Sequence, residues 1–70
     1  MPRFKRGDRT RILPNGGPLY AGLNAVVEEV KPHVRNTLLD SYLLLLPSGE
    51  RRLFLDAQLE LEPEPRRQDL

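Results

Sequence analysis

Seventy residues with no cysteine, no tryptophan and one histidine make one small domain at most, and exclude disulfides, thiolate metal sites and thiol nucleophiles. Eleven basic against ten acidic side chains give a net charge of +1, and a 39% hydrophobic content belongs to globular rather than charge-swollen chains. The longest apolar run, Leu43–Leu46, is far short of the ~20 residues of a membrane span, and no apolar stretch follows the basic start to make a signal peptide, so a cytoplasmic chain with no membrane association is expected.

Proline and glycine cut the chain into short pieces, the pattern of an antiparallel β domain. The first strand is predicted at 8–13, with Thr10 and Ile12 on one face and Arg9 and Arg11 on the other; it stops at the loop Pro14-Asn15-Gly16-Gly17-Pro18. The second, at 23–31, carries β-branched Val26, Val27 and Val30, and its Val-Val pair breaks the alternation as a bulge does. Pro32 ends it, and residues 31–40 read as a loop, a strand or a helix start. The third strand, at 41–47, is apolar on both faces, as in a central strand. A helix over 36–46 competes there, with Asn36 as N-cap and apolar residues at helical spacing. The strand prevails because Leu53, Phe54 and Leu55, following a Pro-Ser-Gly turn, need an antiparallel partner. The fourth strand is predicted at 50–56, and Asp56-Ala57-Gln58 is the length of one 3-10 turn. A fifth strand at 58–62 alternates cleanly.

This order predicts an all-β fold: a small five-stranded SH3-like barrel over 1–62, with a short 3-10 turn before the last strand and a frayed, disordered tail at 63–70. The expected core is Ile12, Leu23, Val27, Val30, Leu43, Leu45, Leu53, Leu55, Leu59 and Leu61, with Phe4 and Phe54 also read as core. A core this small leaves room for an edge strand to pair with a second copy, making a homo-oligomer.

Near-neutrality hides a gradient: residues 1–35 carry a net +4 and residues 36–70 a net −3. Arg3, Lys5, Arg6, Arg9 and Arg11 form a basic strip, and Tyr20 or Tyr42 could add an aromatic platform for single-stranded nucleic acid. With four aromatics in all, the chain is poorly equipped for RNA, and its strip reads more simply as a solvated face. His33 has no second imidazole beside it for a metal. Ser41 and Ser48 lie in no nucleophile elbow, and Gly16, Gly17 and Gly22 lack the Gly-Lys-Ser/Thr of a phosphate loop. Glu28-Glu29 are adjacent on a strand and cannot serve as a carboxylate pair. No catalytic residue, cofactor or metal is expected.

The segments FKRGDRTRIL (4–13) and GGPLYAGLNAVVEEV (16–30) resemble the opening of KOW domains of the NusG type of transcription elongation factor. There Gly7-Asp8 leads into the first strand, Gly17-Pro18 and Gly22 permit tight bends, and Tyr20 covers the barrel mouth; Ala25 stands where that motif has its defining glycine, and Thr10 where valine is usual. The second half, SYLLLLPSGERRLFLDAQLELEP (41–63), is similar to the Tudor-like polymerase-interacting domains of the CarD and Mfd kind, with Asp56, Gln58 and Leu59 in the closing turn. The layout is shared with small photosynthetic accessory subunits and with the plasmid-encoded dihydrofolate reductase. The latter's Gln-Ile-Tyr triplet is replaced here by Leu53-Phe54-Leu55, so that activity does not carry over. The resemblance implies a non-enzymatic interaction module in a transcription or translation setting, with RNA polymerase or a ribosomal component as partner. A nucleic-acid-binding domain using the strip from Arg3 to Arg11, and an accessory subunit of a larger enzyme or electron-transfer complex, are the alternatives.

Overall fold

The computed structural model describes residues 2–36 and 39–62. The described chain is all-β, with strands β1 (Arg9–Ile12), β2 (Asn24–Lys31), β3 (Ser41–Leu45), β4 (Arg51–Leu55) and β5 (Leu59–Leu61). They form one antiparallel sheet in the order β4-β3-β2-β1-β5. Among the described residues no strand joins β4 to β5, so the sheet has two edges rather than a closed circuit of hydrogen bonds. The tail expected at 63–70 lies outside the described residues.

Local chemistry explains the boundaries. The 3-10 turn expected before the last strand occupies Asp56–Gln58, and a second one, not foreseen, occupies Pro14–Gly16 with proline pre-set for its first turn. The two turns are stapled together: Asn15 Nδ2 donates to Ala57 O and Gln58 Nε2 donates to Asn15 O, both at 3.1 Å. Between β3 and β4, Leu46 N donates to Glu50 O at 2.8 Å around Pro47-Ser48-Gly49, and Gly49 supplies the positive φ, 91°, that a tight hairpin turn needs. The irregularity expected at the Val26-Val27 pair falls just beyond it: Val26 and Val27 pair regularly with Leu45 and Leu44, and the register shifts between Val27 and Glu29. Helix over 36–46 is overturned by β3, whose five residues pair with β2 on one side and β4 on the other.

The core consists of Phe4, Ile12, Ala25, Val27, Tyr42, Leu44, Leu46, Phe54 and Leu59, with Tyr20 and Val30 packed against it. Ile12, Val27 and Leu59 are buried as expected, as are Phe4 and Phe54. The expectation fails on β3 and β4, where the phase is inverted: Tyr42 and Leu44 point inward and Leu43 and Leu45 are half-buried on the other face, while Phe54 points inward and Leu53 and Leu55 are 55% and 42% exposed. Leu23 and Leu61 are also exposed. Four consecutive leucines carry no polar marker of phase, and a one-residue slip moves every side chain to the other face. The partner decides: Tyr42 lies opposite Phe54 in the register, and Phe4 closes over Tyr42 edge-on with centroids 5.2 Å apart.

Candidate functional site

Three of the five basic side chains in the strip are engaged in ion pairs within the chain. Arg3 is a structural pin: its Nε lies 3.0 Å from both carboxylate oxygens of buried Asp56, and its Nη2 donates to Asp56 O and Leu59 O, each at 3.0 Å. Its guanidinium also stands 4.6 Å from the Phe4 ring centroid. Arg9 and Arg11 project from β1 as expected, but pairing with β5 sets Glu62 3.8 Å from Arg9 and Glu60 3.9 Å from Arg11. Exposed pairs of this kind add little stability, yet each cancels the field a phosphate would feel. Lys5 and Arg6 are exposed and have no ion pair among the described residues.

The two tyrosines part company. Tyr42 is wholly buried and offers no face to a ligand, so it is withdrawn as a platform. Its hydroxyl donates to Asp56 Oδ2 and accepts from Phe4 N, both at 3.4 Å. Burial chiefly raises its pKa, the charges of Asp56 and Asp40 add to the rise, and the Phe4 N–H works against it. Buried Asp40 accepts the His33 N–H at 2.6 Å through Oδ1, and His33 Nδ1 in turn accepts the N–H groups of Arg35 and Asn36, each at 3.2 Å. The lone histidine therefore organises its own loop.

Tyr20 remains at the surface, half-buried, where the β1–β2 loop and the β3–β4 turn face one another. They enclose a groove of 390 Å³ lined by Leu19, Tyr20, Leu23, Leu46, Pro47 and Glu50. The Tyr20 ring stands edge-on to Phe54 with centroids 5.7 Å apart, and the Arg52 guanidinium lies 5.3 Å from its centroid. Arg52 is held in turn by Glu50, whose hydrogen bond and then whose charge raise the pKa of the guanidinium. A fixed aromatic, a charged pair at the rim and an 80% exposed Leu19 make a mostly apolar groove with a few oriented polar groups, the usual make-up of a recognition site. Arg52 was missed from sequence because it reaches Tyr20 only through the long-range pairing of β4, and Leu19, Tyr20's neighbour in the chain, because a lone apolar residue in a loop carries no mark of a site.

Comparison with protein-family models, with curated proteins and with solved structures finds no match.

Proposed function

We propose that this chain is an SH3-like barrel without chemistry of its own, docking a protein partner in the groove between the β1–β2 loop and the β3–β4 turn. The observation that carries this reading is the Leu19–Tyr20–Pro47 groove itself, whose aromatic is locked by Phe54 and Arg52 before any ligand arrives. Preorganised aromatic and aliphatic anchors supply most of the energy at protein interfaces. The transcription or translation setting rests on the likeness to KOW and Tudor-like domains, and makes RNA polymerase or a ribosomal component the first partner to try.

The test is equilibrium binding of the purified chain to RNA polymerase core and to ribosomes. Leu19→Asp and Tyr20→Ala each weaken binding by about tenfold or more, as loss of a groove anchor does, whereas the Arg9→Ala/Arg11→Ala pair binds as the wild type does. Groove variants that bind normally would refute this docking mode.

A further inference from the structure

We propose that two copies of the chain join edge to edge through β4, antiparallel and two-fold symmetric about Leu53. This edge adjoins the groove through Arg52, but the pairing rests on the backbone of β4 and not on the groove's role.

The free edge follows from the hydrogen bonds at the two ends of β4. Leu46 N donates to Glu50 O and Asp56 N donates to Asp40 O, both at 2.8 Å, so the even-numbered residues of this strand face β3. By alternation Arg51, Leu53 and Leu55 turn their N–H and C=O groups outward. Gln58 Oε1 takes the Leu55 N–H at 2.9 Å; no strand takes the others among the described residues. The side chains on the sheet's outer face agree, since Leu53 is 55% and Leu55 42% exposed, and half-buried Leu43 lies directly across from Leu53. Edge strands are commonly guarded by unpaired charge. Here both candidate guards are drawn into exposed ion pairs within their own chain, Arg51 with Glu28 and Arg52 with Glu50, which weakens their charge without abolishing it.

Charge and hydrogen bonding together select the register. Centred on Leu53, the pairing sets Leu53 against its own copy and Arg51 against Leu55 of the second copy, with no like charges opposed. It makes four backbone hydrogen bonds without disturbing the Leu55 N–H already held by Gln58. Centring on Arg52 would oppose Arg52 to itself, a like-charge clash. Centring on Phe54 would need the Leu55 N–H. The far edge of the sheet is a poorer partner: β5 has three residues, Pro63 next to Glu62 has no N–H to give, and Glu60 and Glu62 are already engaged by Arg11 and Arg9. A symmetric patch that meets itself is the usual basis of a dimer.

Sedimentation equilibrium of the full chain at millimolar concentration should give twice the 8.1 kDa of the single chain, and Leu53→Glu should return it to 8.1 kDa with an unchanged far-UV circular dichroism spectrum. Because the chain has no cysteine, Leu53→Cys and Arg51→Cys each place one thiol for a short bis-maleimide. Across the axis the Leu53 Cα atoms would be about 5.5 Å apart, whereas the Arg51 positions, displaced along the strands, would be roughly 14 Å apart. Capture of a covalent dimer for Leu53→Cys and not for Arg51→Cys supports the pairing. A single 8.1 kDa species in the wild type, a trimer or larger ring, equal cross-linking at both positions, or a dimer that persists in Leu53→Glu overturns it.

Discussion

At Tyr42 the fold buries a phenol close to the carboxylates of Asp56 and Asp40. Its pKa is raised above the ordinary value, so the folded state favours the neutral form. The stability this contributes is fully present below pH ~10 and is lost as pH climbs through the raised value. Urea midpoints measured from neutral to strongly alkaline pH should fall more steeply for the wild type than for Tyr42→Phe. At neutral pH that variant should be less stable by about 1 kcal/mol for the lost hydrogen bonds. Gly16 is the second residue with a sharp consequence. A Cβ there would drive into Ile12 Cγ2, and Ile12, 1% exposed, has nowhere to go. Gly16→Ala should therefore cost about 1–3 kcal/mol in chemical denaturation, as overpacking does, although its φ is unremarkable for alanine. Neither effect is legible from composition: glycine in a Pro-Asn-Gly-Gly-Pro loop reads as a turn former, and Tyr42 reads as an aromatic platform.

Among the elements, β1 shows its faces in the sequence because polar residues alternate with apolar ones, and Thr10 and Ile12 inward, Arg9 and Arg11 outward, is a pattern with one solution; β5 alternates as well, yet of its two leucines only Leu59 is buried. In β3 the leucines run without interruption and both phases satisfy a hydrophobic count. The inward phase is decided by Phe54 across the hairpin and Phe4 above, which need the even-numbered face of β3. Leu44→Ala should accordingly lose about 2–5 kcal/mol, while Leu43→Ala, trimming a half-buried outer residue, should lose about 1 kcal/mol or less. A larger loss for Leu43→Ala than for Leu44→Ala, read from urea midpoints of the two variants, would return the core to the phase expected from sequence. The same inversion turns Leu53 and Leu55 outward, so the edge strand acquires its apolar face as a by-product of filling the core with Phe54 rather than with two leucines.

Across the whole molecule the charge gradient folds back on itself. The +4 half and the −3 half are brought together by β1–β5 pairing and by Arg51–Glu28, which reaches across β3. Titration with single-stranded RNA should thus show only weak binding at low salt and none at physiological salt, measured by fluorescence anisotropy; tight binding lost in the Arg9→Ala/Arg11→Ala variant would restore the nucleic-acid reading. The sequence by itself determined the all-β class, the number and order of the strands, the 3-10 turn at Asp56–Gln58 and the burial of Phe4 and Phe54, because turn residues and alternation are local properties of the chain. Tertiary structure alone decided the phase of the leucines on β3 and β4, that Arg3 is held by Asp56, and that Arg52 lies over Tyr20. Those outcomes depend on register between segments tens of residues apart, and a shift of a single residue in that register, invisible to any local pattern in Leu43–Leu46, exchanges the inside of the sheet for its outside.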